Sequence, residues 1–220
     1  MTDGVDLQTV STVLRAHLAL YRWRTPIYQA TMLQALRAAW SDKERRVLDV
    51  GGGTGVIAQA ISDLFPVDHV VSVDVEDRFA PTLTVEHRTY DGRRLPFEDG
   101  AFDCIVFNNV IHHVLPDDRV PLLRECRRVA PRGAMFIKDH LAVSRLDHWR
   151  LTALDAIGNV PFHGMVKAEY LSPSQWAVLA ADAGYAVTSR TSSIYRRGPF
   201  AAIFPNTLEV LMRWDSLTGP

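Results

Sequence analysis

The chain has 220 residues, of which 47% are hydrophobic and 22% are charged, and its net charge is −1 at pH 7. This composition is typical of a globular domain, and the balanced charge gives no broad positive field for binding nucleic acid. No apolar run is long enough to predict a membrane span. Because the chain has only two cysteines and no signal-peptide pattern, we expect a cytoplasmic protein.

The N-terminal part is predicted to form a helical cap. Apolar side chains recur at helical spacing in two stripes, one before and one after Thr25 and Pro26. Thr25 is the expected N-cap of the second helix, with Pro26 at its first position. We therefore divide the chain into a cap at 1–44 and a core at 45–220, which together form a single domain.

The core alternates predicted strands with predicted helices. Five mostly buried strands are predicted, at 45–50, 69–74, 84–90, 102–108 and 134–139. Alternation of this kind is typical of βαβ units in a parallel sheet that is covered on both faces.

The C-terminal part adds an insertion, a helix and two more strands. Residues 141–171 directly follow the fifth strand, and we expect this insertion to cover the substrate as a lid. Ser172 is the expected N-cap of the next helix, and further strands are predicted at 186–195 and 207–214. The expected fold is therefore α/β, with a Rossmann-like doubly wound sheet that is mostly parallel and has an antiparallel C-terminal strand.

The segment VLDVGGGTG at 47–55 carries the strongest chemical signal. A strand ends near Asp49, and three alternating glycines follow before a helix begins: Gly51, Gly53 and Gly55. Glycines let a ligand approach the backbone closely, and a helix N-terminus offers free N–H groups. Alone, this turn also fits a dinucleotide-binding site, because the G-x-G-x-x-A pattern is present and Asp74 follows at a suitable distance.

Further motifs follow in a fixed order. Asp74 ends the second strand, Asp91 and Gly92 precede the segment LPFEDGAFD, and a helix with a glycine turn leads into the fifth strand. With this set of motifs, residues 45–140 resemble the class I S-adenosylmethionine-dependent methyltransferases, especially the methyltransferase type 11 group that acts on small molecules.

The resemblance implies S-adenosylmethionine as the cofactor and a role for each matching residue. The three glycines would pass under its methionine part, with Asp49 near the amino group. Asp74 would hold the ribose hydroxyls, and Asp91 would accept a hydrogen bond from the adenine amine, with the backbone of Gly92 alongside. Asn108, at the end of the fourth strand, would contribute contacts near the sulfonium.

Three histidines lie where strands end and are candidate proton acceptors. His140 follows the fifth strand, and His112 and His113 follow the fourth. An ordinary imidazole pKa suits proton transfer at neutral pH. The side chains of the adjacent pair are expected to diverge by about 100°, and zinc-ligand spacings are lacking, so no metal site is expected.

We expect a small-molecule acceptor, methylated on an oxygen or nitrogen of an aromatic or quinone-like ring. Its pocket is predicted to include aromatic residues of the cap and the insertion: Tyr21, Trp23, Tyr28, Trp149, Phe162 and Tyr170.

Two alternative functions stay open. The first is an NAD(P)-dependent oxidoreductase, in which Asp91, Gly92 and the segment LPFEDGAFD would have no role. The second is a non-catalytic regulatory partner, which could also bind S-adenosylmethionine. The oligomeric state does not follow from the sequence.

Overall fold

Seven strands form one sheet in the computed structural model, which describes residues 4–41, 43–159, 168–192 and 194–217. In chain order the strands are β1 (Arg46–Val50), β2 (His69–Asp74), β3 (Glu86–Thr89), β4 (Cys104–Asn108), β5 (Ala134–His140), β6 (Tyr185–Thr191) and β7 (Glu209–Ser216). They lie side by side in the order β3-β2-β1-β4-β5-β7-β6. Strands β1 to β5 pair in parallel, whereas β7 runs antiparallel to β5 and β6. The expected mostly parallel sheet with an antiparallel C-terminal strand is confirmed.

Helices cover both faces of this sheet. They are α1 (Leu7–His17), α2 (Ile27–Ala39), α3 (Val56–Leu64), α4 (Pro116–Val129), α5 (Arg145–Asn159), α6 (Pro173–Asp182) and α7 (Gly198–Ile203). Side chains alternate along a strand, so Val47 packs with α1, α2 and α3 on one face while Leu48 packs with α4 and α6 on the other. None of the helices within the described ranges has the length and apolar character needed to cross a bilayer.

The predicted strands match the observed ones to within two residues at each end, apart from the strand at 186–195, and the start of α2 also differs. Helix α2 begins at Ile27, and Pro26 is its N-cap residue in place of Thr25, because the Pro26 backbone (φ −83°, ψ 54°) is not yet helical. The strand predicted at 186–195 ends at Thr191, where its pairing with β7 ends, and the loop beyond it contains α7. Ser172 is the N-cap of α6 as expected, in a capping box with Gln175.

The insertion after β5 contains α5, near the carboxyl ends of the strands. The helix buries Leu151 against Tyr170 and Leu208. Residues 160–167 of the insertion lie outside the described residues. Its role as a lid and the division at residue 44 remain predictions.

Candidate active site

A cavity of about 530 Å³ opens at the carboxyl ends of the parallel strands, which is where open α/β sheets bind ligands. One side of the cavity is the glycine turn, residues 51–54, together with Asp74. The other side carries His113, His140 and a set of aromatic residues: Tyr21, Tyr28, Tyr195 and Phe200. One cavity therefore joins the predicted cofactor residues to two of the predicted proton acceptors.

The glycine turn between β1 and α3 packs tightly against the strands on one side and is open to the cavity on the other. A Cβ atom on Gly52 would overlap Ser72 Oγ and would lie 2.5 Å from Asp49 Oδ2. Gly53, by contrast, has φ +58° and no heavy atom within 4 Å of the position a Cβ would take. Its N–H donates to Asp74 Oδ2 at 2.7 Å. The turn thus presents bare backbone to the cavity and is fixed by the carboxylate that ends β2.

Three predicted cofactor residues do not line the cavity. Asp49 is buried behind the turn, accepts a hydrogen bond from Ser72 Oγ at 2.8 Å, and has a pKa that burial raises to about 7. Gly55 is the N-cap residue of α3. The Asp91 carboxylate accepts hydrogen bonds from two backbone N–H groups just after it, which lower its pKa. The cofactor contacts assigned to these three residues remain predictions.

Two other predicted residues, Gly92 and Asn108, do line the cavity. Asn108 Oδ1 is buried and has no hydrogen-bond partner among the described residues. A buried carbonyl oxygen without a partner is costly, so a bound ligand with a donor group would satisfy it. The next residue, Asn109, has φ 57° and donates from Nδ2 to Tyr28 Oη at 2.8 Å. The left-handed turn thereby ties the end of β4 to the N-terminal cap, a contact that the sequence did not reveal.

The three candidate histidines meet around Asp155 of α5. His113 and His140 line the cavity, whereas His112 lies behind it and is only 1% exposed. Its Nδ1 lies 2.5 Å from Asp139 Oδ1 and its Nε2 lies 3.2 Å from Asp155 Oδ2. His140 Nε2 lies 3.2 Å from the other oxygen of Asp155. Asp155 was not among the residues predicted from the sequence, where the available signal was an acid inside the predicted helix of the insertion.

The surroundings drive the two buried histidines to opposite charge states. Burial opposes a charge on His112, but the carboxylates of Asp139 and Asp155 outweigh it and raise its pKa to about 9. Burial lowers the pKa of His140 to about 4, despite its contact with Asp155. At neutral pH, His140 is therefore the neutral imidazole of the pair, and His112 already carries its proton.

The expected divergence of His112 and His113 is wrong. Their ring centroids lie 4.0 Å apart in the 3₁₀ turn Ile111–His113. The direction of a Cα–Cβ bond does not fix the end of a long side chain, and both rings turn toward Asp155. One ligand atom from each histidine and one Asp155 oxygen lie within 4.8 Å of one another.

The aromatic residues named from the sequence lie in different places relative to the cavity. Tyr21 and Tyr28 line the cavity, and Tyr170 lies behind it, where its hydroxyl donates to Asp155 Oδ2 at 2.6 Å. Trp23 and Trp149 are exposed instead, and Phe162 lies outside the described residues.

Comparisons with known proteins identify a family. A model of the methyltransferase domain family matches residues 22–190. The malonyl-[acyl-carrier protein] O-methyltransferase of Geobacter sulfurreducens is 30% identical over 142 residues, which cover 60% of this chain and 52% of that protein. Among the curated relatives, the chain spans 40% of a strychnine O-methyltransferase and only 6% of two highly reducing polyketide synthases.

Solved structures share the fold at low identity. A complex of the Haloferax volcanii Trm112 methyltransferase activator with a methyltransferase matches with a TM-score of 0.67 and 16% identity, covering 96% of this chain and 95% of that one. The 1,6-didemethyltoxoflavin-N1-methyltransferase of Burkholderia thailandensis, solved with bound 1,6-didemethyltoxoflavin and S-adenosylhomocysteine, matches with a TM-score of 0.57 and 15% identity, covering 99% of this chain and 80% of that one.

Proposed function

Because this chain belongs to the class I S-adenosylmethionine-dependent methyltransferases, of the methyltransferase type 11 kind, we propose that it methylates a small molecule on an oxygen or nitrogen of an aromatic or quinone-like ring. The cavity of about 530 Å³, which continues from the glycine turn to an aromatic wall, carries this proposal. Its size suits a cofactor with a small acceptor, and aromatic side chains favour a flat ring between them.

The residues of the glycine side fit the cofactor. Gly53 leaves room for a ligand against the backbone, and Asn108 Oδ1 is a buried acceptor that needs a donor. Asp74, at the end of β2, would hold the ribose hydroxyls, and Gly92 would lie beside the adenine. Asp49 would act from behind the turn on the amino group, because a bound ammonium would favour the ionised form of this carboxyl over the protonated form that burial favours.

Bound S-adenosylmethionine supplies an electrophilic methyl group on a sulfonium. The protein must then hold the acceptor atom in line with that methyl group, at about 3–3.5 Å, and exclude water. The aromatic wall would fix the plane of the acceptor ring. For a hydroxyl acceptor, the neutral ring of His140 would take up the proton, whereas a neutral amine needs no base before the transfer.

A label-transfer experiment tests this function. The purified protein is incubated with methyl-labelled S-adenosylmethionine and fractionated cell extract, and then with a panel of phenols, quinols and aromatic amines. We expect label in an aromatic small-molecule product and one equivalent of S-adenosylhomocysteine for each methyl group transferred. Asp74→Asn should lose this activity, whereas Asp182→Asn, an exposed acid on α6, should keep it. Label found only in protein or nucleic acid would refute the small-molecule assignment.

A further inference from the structure

We propose that His112, His113 and Asp155 form a binding site for a divalent transition-metal ion in the wall of the cavity. One ligand atom of each lies within 4.8 Å of the other two. His112 Nε2 and Asp155 Oδ2 are 3.2 Å apart, close to the separation of about 3.4 Å between two ligands that bind one zinc ion tetrahedrally at about 2.1 Å. With His113, the cluster offers two imidazoles and one carboxylate, a ligand set that suits zinc, iron or cobalt.

His112 is oriented as a metal ligand. Its Nδ1 faces Asp139 Oδ1 at 2.5 Å, and Asp139 is itself fixed by the backbone N–H groups of Ile111 and His140. The other ring nitrogen, Nε2, is buried and faces Asp155 Oδ2 at 3.2 Å without a well-aligned hydrogen bond. A carboxylate on one imidazole nitrogen with the metal on the other is the usual arrangement around histidine ligands.

Asp155 is held in the same way. Tyr170 donates its hydroxyl to Oδ2 at 2.6 Å, and His140 Nε2 lies 3.2 Å from Oδ1. Ligating carboxylates typically receive such outer hydrogen bonds, which fix their orientation. The residues around the cluster therefore already supply the outer contacts that a metal site needs.

Metal binding at the cluster would replace a proton on His112. Asp139 and Asp155 are both buried, and within the described part of the chain their ion-pair partners are histidines, with no lysine or arginine. The nearby buried cations Lys138 and Arg196 pair with Glu209 instead. The carboxylates of Asp139 and Asp155 raise the pKa of His112 to about 9, so a divalent ion would bind by displacing the proton on Nε2 of that ring, and its affinity would rise with pH.

The site opens toward the acceptor. His113 and Asp155 both line the cavity, so the remaining coordination positions of the ion would face it. There the ion would bind the hydroxyl oxygen of an acceptor and help it release its proton to the neutral ring of His140, which lines the same cavity. The oxygen would then form its bond to the methyl carbon as the carbon–sulfur bond breaks, and the electron pair would stay on sulfur in S-adenosylhomocysteine. This catalytic role depends on the proposed function, whereas metal binding itself does not.

Metal titration of the tag-free protein, after dialysis against a chelator, tests the site. With zinc, calorimetry should give one ion per chain, and cobalt should produce the visible absorption of a site with nitrogen and oxygen ligands. His113→Ala and Asp155→Asn should each weaken binding at least tenfold, whereas His69→Ala, an exposed histidine on β2, should leave it unchanged. Tyr170→Phe keeps all three ligands and should weaken binding by about tenfold or more through the lost outer hydrogen bond.

Thermal denaturation and S-adenosylhomocysteine binding report whether each variant is folded. If a ligand variant fails to fold, Tyr170→Phe and the cobalt spectrum of the parent protein decide the question. Absence of stoichiometric binding by the parent, or equal zinc affinity in the parent and in all folded variants of the cluster, would overturn the proposal. Because the titration uses no acceptor, its failure would leave the methyl transfer proposed above intact. Zinc binding without any transfer would in turn overturn only the proposed function.

Discussion

Replacing Gly52 by alanine tests how the glycine turn is built. The new Cβ would overlap Ser72 Oγ and approach Asp49 Oδ2 to 2.5 Å, both of which are buried. To make room, Ser72 must rotate away and give up its hydrogen bond to Asp49, which leaves a buried carboxyl group unsatisfied at a cost of about 1–3 kcal/mol. Overpacking adds about 1–3 kcal/mol. We expect the free energy of unfolding to fall by about 2–6 kcal/mol.

Gly53→Ala is the matched control, one residue along the same turn. No atom obstructs its Cβ, so the cost is only the left-handed backbone, about 1–2 kcal/mol for alanine. Urea denaturation measures both variants, and S-adenosylhomocysteine affinity should fall for Gly53→Ala because the new methyl group faces the cavity. In the double variant Gly52→Ala/Ser72→Ala the closest overlap is removed, so the loss should be smaller than the sum of the single losses. Equal stability of the two glycine variants, or an additive double variant, would refute this reasoning.

Three further predictions concern other parts of the chain. Asp74→Asn should weaken S-adenosylhomocysteine binding in calorimetry by about 1.5–3 kcal/mol, because charged hydrogen bonds to the ribose are lost; unchanged affinity would contradict its role. Folded Asp49 keeps its proton up to about pH 7, whereas the unfolded chain releases it near 3.8. Stability therefore falls between these values by up to about 4 kcal/mol, and Asp49→Asn should remove this loss when urea denaturation is compared at pH 5 and pH 8. Ser172→Ala should cost about 1 kcal/mol in thermal denaturation by removing the capping box of α6, and an unchanged melting temperature would argue against it.

Local patterns were sufficient for most of the fold. Strand β2 is a mostly apolar run that ends at Asp74, and the structure gives it the predicted bounds of His69–Asp74. The N-cap of α6 was visible because Ser172 and Pro173 are adjacent and Gln175 follows at the capping-box position. In both cases the signal lies within a few neighbouring residues, which is the range over which backbone preferences act.

The histidine cluster could be predicted only in part, because its contacts join residues that are far apart in the sequence. Asp155 reaches His112 and His140 only after α5 folds back over the sheet edge, and no local spacing encodes that contact. The turn at Asn109, with its bond to Tyr28, likewise depends on the packing of the N-terminal cap 81 residues away. The sequence was sufficient to propose the three histidines as proton acceptors. Only the fold shows which of them line the cavity.

Calorimetric titration with S-adenosylhomocysteine and, in parallel, with NADH tests the cofactor assignment most directly. The glycine turn, Asp74 and the unpartnered oxygen of Asn108 lead us to expect a single site for S-adenosylhomocysteine with a micromolar dissociation constant, and no measurable heat with NADH. Tight NADH binding, with none for S-adenosylhomocysteine, would contradict the assignment of this cavity to a methyl donor.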